Sequence, residues 1–100
     1  MAAPMSKSVS VISPCLNEEK HIGNVIAAIA NQTYPRSLIE VIIADGGSSD
    51  ATISEIQKKQ AEFTDLNIGI IENQKRIIPS ALNRAIEAST GEIIVRMDAH

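Results

Sequence analysis

Aromatic side chains are almost absent from this chain of 100 residues, which has one tyrosine, one phenylalanine and no tryptophan. A hydrophobic core must therefore be built from aliphatic residues, and isoleucine dominates among them. Isoleucine-rich strands are expected where a parallel β-sheet is buried on both faces. The length fits one domain with a single core.

Cysteine, basic charge and long apolar runs are scarce as well. The one thiol, Cys15, excludes an internal disulfide bond and favours a reducing compartment. A net charge of −3 and the lack of a basic stripe argue against a nucleic-acid partner. We find neither a signal peptide nor an apolar run near the roughly 18 residues of a membrane helix. We therefore expect a cytoplasmic location, at the inner face of the membrane if a longer parent protein carries membrane segments.

Short apolar runs typical of strands alternate with segments of helical periodicity. After a polar tail at 1–7, residues 8–100 form one predicted domain without a linker. The strand-like runs are Val9–Ile12, Val41–Ala44, Ile68–Ile71 and Ile93–Val95. Helical spacing of apolar residues occurs in three segments between them: Ile22, Val25, Ile26 and Ile29; Ile53, Ile56 and Phe63; Ile78, Ala81, Leu82, Ala85 and Ile86. This alternation predicts an α/β fold, a Rossmann-like parallel four-stranded sheet with helices on both faces.

Polar side chains follow every predicted strand, in the segments 13–19, 45–50, 72–76 and 98–100. Ligands of open α/β sheets bind beyond the carboxyl ends of the strands. Because the ends of parallel strands meet at one edge of the sheet, the four segments together predict a binding cleft at that edge.

Several residues of these segments have two interpretations. Asp45, at a strand end, is placed to accept a hydrogen bond from a base N–H or a ribose hydroxyl. Glu18 and Glu19 open the next helix, where they would either interact with the helix dipole or contact a ligand. Arg76 would lie in solvent or form a fork onto a phosphate or a base. Cys15, in a predicted loop, has no histidine or acid obviously placed to activate it, so we expect no nucleophilic role.

Taken in order, these segments resemble the N-terminal half of a family 2 glycosyltransferase of the GT-A fold. The resemblance covers nearly the whole chain from Ser8 onward, and the ordered set of motifs is more specific than any one of them. The motifs are Ser13–Glu19, Val41–Thr52, Asn73 with Ala81–Asn83, and Gly91–His100. The ending Asp98-Ala99-His100 is similar to the branch that builds bacterial exopolysaccharides such as succinoglycan.

The resemblance implies roles for five residues at a nucleoside site. Pro14 and the loop that contains Asn17 and Glu19 would line this site. Asp45 would hold the base, and Arg76 would lie near the base or the phosphates. These residues are therefore expected to bind a nucleotide.

The same resemblance implies a divalent metal, Mg²⁺ or Mn²⁺. Asp98 would contact the ribose or the metal, and His100 takes the place of the last Asp of the family's Asp-X-Asp motif. The metal would neutralise the charge that develops on a nucleoside diphosphate leaving group. Carboxylates suit both ions, whereas imidazole suits Mn²⁺ better, so His100 leaves the identity of the metal open.

The activity implied is transfer of a sugar from a UDP- or GDP-sugar to a hydroxyl of a saccharide or lipid-linked acceptor, in polysaccharide or glycoconjugate synthesis. The family's catalytic base and acceptor-binding elements come from later parts of the chain. We therefore expect no catalytic residue here and a half-domain, cut at the Asp-X-His motif, that binds only the donor. The isoleucine-rich surface of such a half-domain is expected to favour a homodimer.

Three other classes of α/β protein fit the residues less well. A receiver-type signalling domain needs an acidic pair directly after its first strand, and here Ser13–Asn17 intervene. A dinucleotide-binding oxidoreductase would have Gly-X-Gly-X-X-Gly at that place, yet residues 13–19 contain no glycine. A sugar-nucleotide pyrophosphorylase would have a glycine-rich basic loop there, which is also absent.

Overall fold

The computed structural model describes residues 7–72 and 85–98, which form one parallel sheet with helices against it. The strands are β1 (Val9–Cys15), β2 (Ile39–Asp45), β3 (Asn67–Glu72) and β4 (Ile93–Arg96), and the helices are α1 (Ile22–Ala30) and α2 (Thr52–Glu62). A short 3₁₀ turn, Arg36–Leu38, precedes β2. The predicted strands and the first two predicted helices are confirmed. Most of the third predicted helix lies outside the described residues, and its residues 85–88 are helical.

The four strands are all parallel and lie in the order β3-β2-β1-β4. The chain therefore moves outward from β1 to β3 and then returns across β1 to form β4. In an open α/β sheet, this reversal of direction marks the place where ligands bind. The strand order thus indicates that a ligand site lies at the carboxyl ends of β1 and β4.

The core lies on both faces of the sheet, as the isoleucine content predicts. On one face, strand residues such as Val41 pack with Ile22 and Ile26 of α1 and Ile56 of α2. On the other face, Ile12, Ile42 and Ala44 pack with Ala85 of the helical residues 85–88. Side chains alternate between the faces along a strand, and here both sets are covered, which confirms the prediction of helices on both faces.

Two boundaries differ from the sequence prediction. β1 continues through Pro14 to Cys15, which were predicted to be in a loop, because β1 pairs with β2 as far as Cys15 opposite Asp45. Helix α1 begins at Ile22 rather than at Asn17–Glu19, and a turn precedes it in which the Glu18 carbonyl accepts the N–H of Ile22. Nonlocal pairing sets the first boundary, so local composition could not reveal it.

Within the described ranges, no helix has the length and apolar character to cross a membrane.

Candidate functional site

Pro14 lies just beyond the point where the pairing of β1 with β4 ends, since the last paired residues are Ile12 and Arg96. The carbonyl of Ile12 accepts the N–H of Met97 at 2.9 Å, which shows that the even-numbered residues of β1 direct their backbone groups toward β4. Pro14 is the next residue of this set, and it has no N–H to donate. Toward β2, by contrast, the carbonyl of Cys15 still accepts the N–H of Gly46 at 2.8 Å.

The strand register places the predicted site residues at one height on this edge. Asp45 is opposite Cys15, and Arg96 is opposite Ile12. Asp98 follows Arg96 by two residues and therefore lies near the level of Pro14. Since β1 separates β2 from β4, the ends of those two strands are roughly 10 Å apart, twice the spacing of adjacent strands.

Asp45 shapes the loop that follows it. The side chain is buried, with only 5% of the residue exposed. Its Oδ2 accepts the N–H groups of Gly47 and Ser48 at 3.0 and 2.9 Å, and its Oδ1 accepts the Ser48 hydroxyl at 2.5 Å. Gly47 has φ of 93°, a conformation that favours glycine. The predicted contact with a base would therefore use the lone pair that remains on Oδ1.

Asn17 joins the loop after β1 to the loop after β2. Its backbone N–H donates to the Ser48 hydroxyl at 2.9 Å, and its side-chain oxygen accepts the N–H of Ser49 at 2.8 Å. The residue has φ of 51°, in the left-handed region that asparagine tolerates better than most residues. The predicted nucleoside contact of Asn17 thus coincides with a bridge between the two loops that would surround a nucleoside.

Thr52 and Asp50 complete this bridge, and the sequence analysis gave neither of them a site role. Thr52 is fully buried, and its hydroxyl accepts the N–H of Glu18 at 2.9 Å and donates to the Asp50 carboxylate. Asp50 also accepts the N–H groups of Thr52 at 2.9 Å and Glu19 at 3.3 Å. Partial desolvation would raise the pKa of Asp50, but these hydrogen bonds outweigh it and hold the pKa below its ordinary value. In the sequence, the feature that indicates this arrangement is the run of short polar residues before α2.

Glu19 takes part in the bridge through its backbone N–H, and the residue itself is exposed. Its carboxylate therefore faces solvent. This exposed position of Glu19 is compatible with contact to a ligand and also with no such contact, the two interpretations that the sequence allows.

Cys15 is unsuited to nucleophilic chemistry. Burial, followed by the negative charges of Asp45, Glu18 and Asp50, raises the pKa of its thiol to about 12. The thiol is therefore protonated at neutral pH, when only a thiolate would be an effective nucleophile. The carboxylates of Asp45, Glu18 and Asp50 give the carboxyl ends of β1 and β2 a negatively charged edge.

Asp98 lies at this edge beyond β4, paired with Arg96. The guanidinium Nε donates to Asp98 Oδ1 at 2.8 Å, and Nη2 donates to Oδ2 at 3.3 Å. Among residues 7–72 and 85–98, no cluster of three or more His, Cys, Asp or Glu side chains could hold a metal ion. The predicted site residues Arg76 and His100 lie outside the described residues.

Comparison with known proteins gives matches along nearly the whole chain. The model of the family "Glycosyl transferase family 2" matches residues 10–100. The chain is 39% identical over 97 residues to the succinoglycan biosynthesis protein ExoA of Rhizobium meliloti, covering 95% of the chain and 28% of that protein. It is 36% identical over 92 residues to the dolichyl N-acetyl-α-D-glucosaminyl phosphate 3-β-D-2,3-diacetamido-2,3-dideoxy-β-D-glucuronosyltransferase of Methanococcus voltae, covering 92% of the chain and 29% of that protein.

A solved structure gives the same result. The mannosyltransferase PcManGT of Pyrobaculum calidifontis, in complex with GDP-Man and Mn²⁺, superimposes with a TM-score of 0.87 at 35% identity. The match covers 98% of this chain and 29% of that one. The chain thus spans less than a third of the length of each of these three proteins. These matches give no support to the alternative of a receiver-type signalling domain.

Proposed function

The chain belongs to glycosyl transferase family 2, and from this premise we propose that residues 8–100 form the donor-binding half of a glycosyltransferase domain. The parent enzyme would move a sugar from a nucleoside diphosphate to an acceptor hydroxyl during polysaccharide or glycoconjugate synthesis. The observation that carries this proposal is the end of the pairing of β1 with β4 beside Pro14. Its position at the reversal of strand order is the place where open α/β sheets bind nucleotides.

The nucleoside would bind between the loops that follow β1 and β2. Pro14 would form one wall, and the segment Asn17–Glu19 would form another. The remaining lone pair of Asp45 Oδ1 would accept a base N–H, while Arg76 would approach the base or the phosphates. Asn17 fixes the distance between the two loops through its bonds to Ser48 and Ser49, so this part of the site exists before the ligand arrives.

The negative charge of this edge gives a physical reason for a divalent metal in nucleotide binding. A nucleoside diphosphate carries several negative charges and would approach the carboxylates of Asp45, Asp50 and Asp98, which repel it. Mg²⁺ is held in many sites by one or two carboxylates together with substrate phosphates, and Asp98 fits such a partial site. Asp98, with His100 as a second proposed ligand, would hold Mg²⁺ or Mn²⁺. When bound, the metal would neutralise the charge on the diphosphate leaving group.

Calorimetric titration of the chain with UDP, GDP and their sugars, with and without Mn²⁺, tests this proposal. We expect one nucleotide to bind, and to bind more tightly with Mn²⁺. Asp98→Asn should remove the gain from Mn²⁺, whereas Asp65→Asn, an exposed carboxylate that pairs with Arg36 before β2, should keep it. Absence of nucleotide binding with or without Mn²⁺ would refute the proposal.

The acceptor would be a saccharide or a lipid-linked sugar, and it would bind to parts of the parent enzyme beyond this chain. Under this proposal, the catalytic base for the acceptor hydroxyl would come from those other parts as well. We therefore expect the chain to bind donor without transferring sugar, and clear transfer to a supplied acceptor would contradict a donor-binding half.

The proposed location is the cytoplasm, and the single thiol, Cys15, which is free and buried, agrees with it.

We also propose that the isolated chain forms a homodimer. Ile93, Ile94 and Val95 of β4 are each 42–44% exposed, and β4 is at an edge of the described sheet. Next to it lies an open groove of about 450 Å³, lined by apolar residues that include Val11 and Met97. An exposed apolar edge strand is a template for pairing with a second chain. Light scattering should give the mass of a dimer or larger species, and a clean monomer at high concentration would contradict this.

A further inference from the structure

Arg96 holds the carboxylate to which the proposed function assigns the metal. Two of the three nitrogens of the guanidinium, Nε and Nη2, donate to the two oxygens of Asp98, at 2.8 and 3.3 Å. These are the oxygens that Mg²⁺ or Mn²⁺ would use as ligands. A metal ion at Asp98 would lie within a few ångströms of the guanidinium, and two cations at such a distance repel each other.

The Arg96–Asp98 pair is too exposed to be important for stability. Its side chains are 44% and 37% exposed, and ion pairs in such positions contribute little to the free energy of folding. The pair follows from backbone geometry, because residues two apart on an extended chain project to the same side. The pair lies at the carboxyl end of β4, where ligands of open α/β sheets bind, and this location favours a role in binding.

We propose that Arg96 is a positioning residue that couples metal binding to diphosphate binding; this inference rests on the proposed function. Without donor, Arg96 holds the Asp98 carboxylate in place and disfavours a metal ion that arrives alone. A diphosphate offers the guanidinium another pair of oxygen acceptors, to which its planar fork is well matched. It also supplies oxygen ligands that Asp98 alone does not provide for the metal.

The coupling must be reciprocal. If a nucleoside diphosphate strengthens Mn²⁺ binding by some factor, Mn²⁺ strengthens the binding of that nucleotide by the same factor. In the absence of the guanidinium, the metal would bind Asp98 more readily by itself, and the advantage of having the diphosphate present would shrink. Arg96 therefore sets the size of the coupling, which can be measured without any catalytic turnover.

The test measures Mn²⁺ affinity from the electron paramagnetic resonance signal of the free ion, with no nucleotide and with saturating UDP or GDP. For the natural chain we expect an increase in Mn²⁺ affinity with nucleotide of about tenfold or more, within the usual range of coupling between sites. Arg96→Gln should bind Mn²⁺ alone several times more tightly and should lose most of the increase. Arg96→Lys, which keeps the charge, should restore the weak binding of Mn²⁺ alone. Lys58→Gln removes the same charge from a residue whose side chain is 70% exposed on α2 and should behave like the natural chain.

The outcomes separate this inference from the proposed function. If nucleotide binds but Arg96→Gln leaves both Mn²⁺ affinities unchanged, Arg96 has no coupling role and only this inference fails. An equal loss of both affinities in Arg96→Gln, together with a lower unfolding midpoint, would show a structural role and would also overturn it. If neither UDP nor GDP binds to the natural chain, the proposed function fails and the inference fails with it.

Discussion

The side-chain oxygen of Asn17 accepts the backbone N–H of Ser49 at 2.8 Å, across 32 positions of sequence. Asn17 belongs to the loop after β1, and Ser49 belongs to the loop after β2. This bond, together with the one from the Asn17 N–H to Ser48, makes the two loops one structural unit at the carboxyl edge of the sheet. A residue predicted to contact ligand thereby also determines the shape of the site.

Asn17→Ala should lower the free energy of unfolding by about 2 kcal/mol. The change removes a side-chain hydrogen bond to the Ser49 N–H and places alanine at φ of 51°, each with a typical cost of about 1 kcal/mol. Urea unfolding measures the difference. Asn17→Gly, which tolerates the backbone conformation, should lose less, and Asn24→Ala on the exposed side of α1 should lose nothing. Equal stability of Asn17→Ala and Asn24→Ala would show that the bridge is unimportant.

Gly91→Ala should be among the most destabilising small substitutions in the chain. A Cβ at this position would lie 2.5 Å from Ser10 Oγ, 2.6 Å from the Ser10 nitrogen and 2.9 Å from the Val9 carbonyl carbon. Because two of these atoms are backbone, the strand itself must move, at a cost of about 1–3 kcal/mol. The unfolding midpoint in urea gives the measurement.

Gly23→Ala is the matched control for that substitution. Its Cβ would meet the end of the flexible Lys59 side chain at 3.2 Å, which can move aside. Alanine is favoured over glycine by up to about 0.5–1 kcal/mol in a helix, and Gly23 lies in the first turn of α1, so Gly23→Ala should be neutral or slightly stabilising. If both variants lost stability equally, the close approach of Gly91 to β1 could not explain the loss.

The sequence predicted the elements of this fold but not the contacts between them. Periodicity located four strands and two described helices, because the spacing of residues such as Ile22, Ile26 and Ile56 reflects local geometry. It missed the extension of β1 to Cys15, since that boundary depends on pairing with Asp45 of β2. Polar segments after the strands indicated the edge that holds the candidate site. The bridge through Thr52 could not be predicted, because it joins positions more than 30 residues apart.

The protein should become less stable in acid because Glu40 is protonated there. Burial of its carboxylate would raise its pKa, but hydrogen bonds from Ser10 at 2.5 Å and from the Thr90 N–H at 2.7 Å outweigh this and lower the pKa from 4.5. Since the unfolded chain then takes up a proton at higher pH than the folded chain, this stabilisation is full above pH 4.5. It is lost as the pH falls below 4.5 and through the lower pKa of the folded state.

Glu40→Gln tests the origin of that dependence. The substitution should lower stability at pH 7 and flatten the decline of the urea midpoint between about pH 5 and pH 3, where the carboxylate titrates. Glu87→Gln, at an exposed helical position, should keep the natural decline. A Glu40→Gln profile parallel to that of the natural chain would assign the acid sensitivity to other carboxylates.

Cys15 should resist alkylation for as long as the sheet remains folded. Its thiol is buried, and burial with the nearby charges of Asp45, Glu18 and Asp50 raises its pKa to about 12, so the reactive thiolate is scarce at pH 8. We expect iodoacetamide to label the chain at least about a hundredfold more slowly than free glutathione under the same conditions, from the scarcity of thiolate alone. In urea beyond the unfolding midpoint the two rates should approach each other. Rapid labelling of the folded chain would mean that the carboxyl end of β1 opens readily, and the rigid edge on which the donor site depends would then be untenable.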